Sequence, residues 1–239
     1  GGDRFAVLFG DVSDRRRAEA ALREAEERQG FLLRLGDELR PLRKPGDICL
    51  AAARALVRHL GASRATLAEN LDDAVFEVTT VLADGTARPG ARVRHADLGA
   101  DFMSGLCAGQ ARIRPGIAPH PALDPAPDPA EGQALAAAAV AASLDVPLVK
   151  NGRLVAWLGV GHGAPHDFSP GEIALAAEVA ERTWAAVERA RAEGMLADEL
   201  RIMTRLHELA DRLLAITDLS AGLDEVLEVA VDVLGDCGT

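Results

Sequence analysis

The pattern of apolar positions is clearest between residues 143 and 192, where two apolar runs precede a long amphipathic segment. The runs flank Asn151-Gly152, the dipeptide that most readily adopts positive φ at both centres of a two-residue hairpin turn. The second run, 154–160, is apolar at nearly every position, which is typical of a strand covered on both faces. The pattern therefore predicts a central hairpin followed by a helix.

The predicted helix has a clear N-terminal signature. Ser169 and Glu172 stand three residues apart, as in a capping box, and Pro170 suits the first helical position. An apolar stripe on the first part of this helix is out of phase with a second stripe between residues 202 and 216. We predict that the seam slips near Gly194, which makes that position a candidate joint.

Residues 14–39 show apolar positions at alternating spacings of four and three, which is typical of a weak coiled-coil seam. This pattern favours a parallel dimer helix, and the alternative is a surface helix of a single chain. We expect Pro41 and Pro45 to stop the helix, and Asp47 to cap a second one that ends at Gly61. Alternating apolar and polar positions then predict strands at 64–69, 75–82, 91–95 and 110–114.

The region between the predicted strands and the hairpin has a different character. Residues 100–108 are predicted to form a short helix. Six of the twelve prolines lie between residues 115 and 129, so we expect an exposed loop over 115–132. Residues 130–142 are rich in alanine and are predicted to be helical.

Composition excludes several classes of protein. A formal net charge of −11 leaves no basic surplus to displace counterions from phosphates, which argues against general nucleic-acid binding. The longest apolar run, 134–142, is too short to cross a bilayer, so we expect no membrane span in this segment. Cys49, Cys107 and Cys237 are odd in number and widely spaced, which argues against a disulfide framework. We therefore expect a cytoplasmic protein.

Four parts of the chain together resemble a GAF domain. They are the stretch 146–153, the strand 154–160, the segment 168–172 and the helix that leads to 185–190. The resemblance covers about residues 47–191. It implies an α+β, GAF-like (PAS-like) fold, with an antiparallel sheet of about six strands, helices packed on it and long coiled-coil-like helices at both ends. It also implies that Pro147 lies at a sheet edge or bulge.

The flanking segments resemble parts of other sensor domains. The apolar residues 4–9, followed by Asp11-Val-Ser-Asp-Arg, resemble the end of a PAS domain, and the last residues resemble the start of a second GAF domain. We predict a PAS strand at 1–13, a signalling helix at 14–42 and a GAF domain at 43–190. A linker helix at 191–218 and the start of a second GAF domain at 219–239 follow.

This order resembles the sensory half of bacterial sensor histidine kinases. The resemblance implies a homodimer of a two-component system, whose GAF domain senses a small molecule or mediates dimerisation. The signal would pass through the helices to a kinase module in the same chain. The alternative is a ligand-free dimerisation scaffold of another signalling protein, such as a cyclic-di-GMP enzyme or a phosphatase.

A ligand in this fold would lie between the sheet and residues 95–125. The candidate ligand-binding residues are Phe102, Met103, Cys107, Arg112, Arg114, His120 and Trp157. The candidate residues of the dimer and signalling helices are Leu22, Leu32, Leu39, Trp184, Val187, Ile202, Leu206, Leu209 and Leu213.

No pattern in the sequence predicts a catalytic site. The glycines of 159–164 match a dinucleotide fingerprint by letter, but the predicted helix begins too late to meet a pyrophosphate. His207 lacks the following proline of a kinase phosphoacceptor site. The three cysteines fall in different predicted elements, which argues against an enzyme of the free methionine sulfoxide reductase type.

The sequence also carries no cofactor signature. His162 and His166 with Asp167 supply too few ligands for a metal site. Bilin-binding relatives have His after their cysteine, whereas Cys107 precedes Ala108. With no bilin, haem or metal signature, the identity of a ligand stays open.

Overall fold

The structure is a computed structural model, and it describes residues 13–72, 74–83, 86–88, 92–117 and 140–215. The predicted PAS strand, His120, Cys237 and the predicted start of a second GAF domain lie outside the described residues. Most of the proline-rich loop lies outside them as well.

The helices are α1 Ser13–Leu39, α2 Pro45–Leu60, α3 His95–Leu98, α4 Ala100–Cys107 and α5 Pro170–Ala215. The strands are β1 Arg64–Asp72, β2 Val75–Ala83, β3 Thr86–Arg88, β4 Arg92–Arg94, β5 Arg112–Ile117, β6 Val140–Lys150 and β7 Arg153–His162.

Within the described residues, the strands form one antiparallel sheet in the order β3-β2-β1-β7-β6-β5, and β4 also pairs with β2. The predicted α+β class and the sheet of about six strands are therefore confirmed. The sheet belongs to a compact unit that ends at Val187, and the rest of α5 belongs to a second unit.

The sheet is covered on both faces at its centre, because four successive residues of β1, at 65–68, are buried. Helix α2 contacts β1 and β2, while α4 contacts β6 and β7. One core cluster joins β2, β4, α4 and β7 through Phe76, Val93, Phe102, Leu106 and Trp157. These contacts hold α4 against the strands that form the central hairpin.

The predicted hairpin at Asn151-Gly152 is confirmed. Asn151 has φ 51° and Gly152 has φ 75°, so both central residues adopt the positive φ that a type I′ turn requires. Pro147 lies opposite Trp157 of β7, whereas β5 pairs with β6 only as far as Asp145. Pro147 therefore lies where β6 extends past β5, and its missing N–H costs no ladder bond on that side.

The capping box at the start of α5 is also confirmed. The Ser169 backbone N–H donates to Glu172 Oε2 at 2.7 Å, and the Glu172 N–H donates to Ser169 Oγ at 3.2 Å. Helix α5 is continuous from Pro170 to Ala215. A joint near Gly194 stays a prediction.

Four local expectations are wrong. Residues 115–117, expected in the proline-rich loop, belong to β5 and pair with β6. Helix α2 begins at Pro45, with Asp47 in its first turn, because the residue without an N–H suits the first helical position. His95 begins α3 instead of ending a strand. Residues 140–142 belong to β6, because pairing with β5 and β7 overrides the helical preference of alanine.

We predict that Gly152→Ala lowers the free energy of unfolding by about 1 kcal/mol, because alanine is strained at positive φ. The control is Gly36→Ala, in helix α1, where an added Cβ meets nothing within 4 Å. This control should raise the free energy of unfolding by about 0.5–1 kcal/mol. Urea unfolding followed by circular dichroism measures both, and equal effects of the two variants would contradict the turn assignment.

Candidate functional site

A cavity of about 460 Å³ opens where the α3–α4 junction faces β5. This volume lies within the range of about 300–1,000 Å³ that is typical of small-molecule sites. The cavity is lined by Leu98, Gly99, Ala100, Asp101, Phe102, Arg112 and Arg114. It therefore combines apolar residues with two arginines and one aspartate.

Arg114 is held in place from two sides. Its Nε and Nη2 donate to Asp145 Oδ2 of β6 at 3.0 and 2.8 Å. Its guanidinium carbon also lies 4.4 Å from the centre of the Phe102 ring, a cation–π contact. Since both the anion and the ring belong to the core, the guanidinium is fixed before any ligand arrives.

Asp145 is the buried centre of this arrangement, with 2% of its surface exposed. Besides the two bonds from Arg114, its carboxylate accepts hydrogen bonds from Ser143 Oγ at 3.0 Å and from Trp157 Nε1 at 3.1 Å. Burial raises the pKa of Asp145, and the Arg114 charge and the three hydrogen-bond donors oppose this shift. The network thus offsets part of the cost of burying a carboxylate.

Trp157 connects Asp145 to the cavity wall, because it contacts both Asp145 and Phe102. Its ring meets Phe102 edge-on with centroids 5.5 Å apart. A Cβ added to Gly159 would lie 3.2 Å from Trp157 Nε1 and 3.3 Å from Asp145 Oδ1. Glycine at this position therefore leaves room for the hydrogen bond between the two side chains.

Arg112 lies across helix α4. A Cβ added to Gly105 would overlap its side chain, at 2.5 Å from Cδ, so the glycine provides the path that the side chain takes. Arg112 Nη1 donates to the backbone carbonyl of Asp101. This contact joins β5 to the first turn of α4 through two residues that line the cavity.

The structure brings together part of the predicted ligand set. Phe102, Arg112 and Arg114 line the cavity, and Trp157 lies directly behind Phe102. Met103 packs against the same core, and Cys107 is exposed at the end of α4 outside the cavity lining. Their role as ligand-binding residues stays a prediction.

Sequence reasoning missed Asp145 and Ser143, which position Arg114. The available signal was an acidic residue inside the apolar run that was assigned to the first strand of the hairpin. A carboxylate in such a run needs donors from neighbouring strands, because an unpaired buried charge is costly. The donor is Arg114 of β5, and the pairing of β5 with β6 brings it to Asp145.

The predicted helix residues fall into different environments. Leu32, Leu39 and Val187 are buried in the core of the single chain. Leu22 and Leu206 are 61% and 47% exposed, and Trp184, Ile202 and Leu209 are partly buried. The side chain of Leu213 lies outside the description. The exposed leucines remain available to a partner, and their role in a dimer stays a prediction.

In the part of the chain that the structure describes, no group of three or more His, Cys, Asp or Glu side chains is arranged to hold a metal ion. His162 and His166 stack face to face, with ring centroids 3.9 Å apart. No described helix has the length and apolar character needed to cross a bilayer.

We predict that Asp145→Ala lowers the free energy of unfolding by about 3 kcal/mol, because it leaves Trp157 Nε1 and Arg114 without their buried partner. This loss of stability is at the lower end of the range for a broken buried ion pair, since the Arg114 side chain is one third exposed. The control is Lys150→Ala, which removes an exposed pair with Glu181 and should change stability by less than about 1 kcal/mol. Equal losses in chemical denaturation would contradict the central role of Asp145.

Several solved structures share this fold. Bacteriophytochrome RpBphP3 from the photosynthetic bacterium R. palustris matches with a TM-score of 0.62 and 16% identity, over 86% of this chain and 45% of that chain. Its chromophore-binding domain matches with a TM-score of 0.51 and 16% identity, over 67% of this chain and 62% of that chain. The photosensory core module of the Stigmatella aurantiaca phytochrome matches with a TM-score of 0.59 and 16% identity, over 95% of this chain and 47% of that chain.

The chain spans less than two thirds of each of these solved chains. At this level of identity the likeness concerns the fold. A comparison with curated protein sequences gives no match. The sequence model of the GAF domain family matches residues 45–187, which is more than half of the chain. The chain therefore belongs to the GAF domain family.

Proposed function

We propose that this chain is a sensory and regulatory segment whose GAF domain binds a small molecule in the cavity between α4 and β5. The observation that carries the proposal is a cavity with a preorganised guanidinium, Arg114, held by Asp145 and Phe102. A site that is ordered before binding loses less entropy when the ligand enters. Arg112 is a second cationic group for a ligand with acceptor atoms.

The cavity is coupled to the long helix through the central hairpin. Asp145 and Trp157 lie on β6 and β7, and β7 leads through one short loop into α5. A ligand that moves Phe102 or Arg114 acts on both hairpin strands. It can bias the helix only by binding two arrangements of this region with different affinity.

We further propose that the chain forms a homodimer through the distal part of α5. Five large apolar side chains are exposed there: Met195, Leu196, Leu200, Met203 and Leu206. With the partly buried Ile202 and Leu209, they form an apolar face that a second helix would remove from water. Continuous α5 helices would then carry the signal to a kinase module in the same chain, in a cytoplasmic two-component histidine kinase.

The alternative is a dimerisation scaffold that binds no ligand. It is favoured by the internal contacts of both arginines, because Arg112 donates to the Asp101 carbonyl and Arg114 pairs with Asp145. In that case the cavity is a by-product of the fold. The dimer prediction applies to both alternatives, and the ligand prediction separates them.

For ligand binding, native mass spectrometry of the purified chain should show an added mass that disappears on denaturation. Arg112→Met should reduce the fraction of chains that carry this mass at least tenfold, because it removes a cavity guanidinium and keeps an unbranched apolar stem. Arg23→Met is the matched control on the exposed first part of helix α1 and should leave the fraction unchanged. No added mass in protein from several expression hosts would favour the scaffold alternative.

For dimerisation, light scattering after size exclusion should give twice the chain mass. Leu206→Glu should produce a monomer at micromolar concentration, because it places a charge in the apolar face of α5. Glu208→Lys changes the charge two residues away and should leave the dimer intact. A monomeric parent chain, or equal behaviour of both variants, would exclude this interface.

A further inference from the structure

The end of β7 and the loop after it form an aromatic cluster at the start of α5. His162 is 9% exposed, and its imidazole stacks on His166 with ring centroids 3.9 Å apart and planes inclined by 13°. Phe168 is buried and meets both rings edge-on, at 5.5 and 4.8 Å. Among the described residues, the buried Nε2 of His162 has no hydrogen-bond partner. The imidazole of His162 is therefore buried between aromatic rings with one nitrogen unsatisfied.

One carboxylate joins this cluster to the helix cap. Glu172 Oε1 lies 2.9 Å from His166 Nε2, and Glu172 Oε2 accepts the hydrogen bond from the Ser169 backbone N–H. The same side chain thus holds the second histidine and the first turn of α5. Any movement of His166 changes the surroundings of the cap.

The charges around the stack come from four elements. The described titratable and charged groups near it are Glu172 of α5, His166 and Asp167 of the loop, Arg64 of β1 beside Gly161, and Glu24 of α1 against Gly171. Of these, the carboxylate of Glu172 is bound to His166 and to the cap. This contact holds the imidazole of His166 beside the cap, while the buried Nε2 of His162 has no partner among the described residues.

We propose that the His162–His166 stack is a proton-operated switch between the sheet and α5, in which proton uptake by His162 opens the stack and releases the loop from the helix cap. A proton on His162 comes from solvent and has no buried acceptor at Nε2. With a charge also on His166, two like charges would lie about 4 Å apart in a partly desolvated site, which is unfavourable. Opening the loop exposes both rings to water and removes this cost.

The direction of the pH dependence follows from His162. Burial lowers the pKa of His162, the neighbouring His166 lowers it further, and Glu172 raises it. Because the closed stack binds a proton less readily than the open loop, the closed form is favoured above pH 6.5, the usual histidine value. It loses stability as the pH falls below that value. At about pH 5.5 the equilibrium constant for opening of the loop is at most about tenfold larger than its value well above pH 6.5.

Hydrogen–deuterium exchange on the whole chain at about pH 8 and about pH 5.5, corrected for the intrinsic change of exchange rate, tests the switch. Protection of the backbone amides of residues 163–175 should fall by up to about tenfold at the lower pH. His162→Phe should abolish this loss, because phenylalanine keeps the stacked ring and cannot be protonated. His207→Phe, at an exposed position of α5, should retain it.

The proposal is overturned if the parent chain shows no such loss, or if His162→Phe shows the same loss as the parent. Should His162→Phe fail to fold, the parent chain alone decides through nuclear magnetic resonance of its histidine rings. The loss of protection must then follow the titration of the His162 ring. A His162 ring that does not titrate where the loop opens would exclude the switch.

Discussion

The need to satisfy one buried carboxylate determines the arrangement of the cavity side of the sheet. Asp145 accepts hydrogen bonds from Arg114 of β5, Ser143 of its own strand and Trp157 of β7. Breaking such a buried charge network typically costs about 3–5 kcal/mol, which is a large fraction of the stability of a domain. The carboxylate therefore constrains β5, β6 and β7 to one register and orients the residues that face α4.

This constraint extends into helix α4 by direct contact. Trp157 and the Arg114 guanidinium both lie against the ring of Phe102, which is on α4. The cavity wall is consequently part of the core, and its guanidinium has little freedom. A ligand would meet a surface whose shape is already determined, and Arg112, which also lines the cavity, donates to the Asp101 carbonyl.

The helices illustrate why a heptad pattern is ambiguous without tertiary structure. Leu32 and Leu39 of α1 occupy seam positions, yet both are buried in the domain, and Arg182 of α5 donates to the Leu32 carbonyl at 3.4 Å. Leu22 follows the same spacing and is exposed. Spacing identifies an apolar stripe, but what covers the stripe depends on residues far away in sequence. The last part of α1 thus belongs to the core, and its first part remains available to a partner.

The sequence by itself determined the features that depend on a few adjacent residues. The Asn151-Gly152 turn, the capping box of Ser169 and Glu172 and the end of α2 at Gly61 follow from local backbone and hydrogen-bond preferences. The GAF fold was expected from a resemblance, carried by residues 146–160 and 168–172 and by the order of the predicted elements, and the family match over residues 45–187 confirms it. Only tertiary structure decided that residues 140–142 extend a strand and that Arg114 turns towards Asp145, 31 positions away in sequence. Strand pairing and buried charge pairs join residues that are distant in sequence, and no local preference encodes their partners.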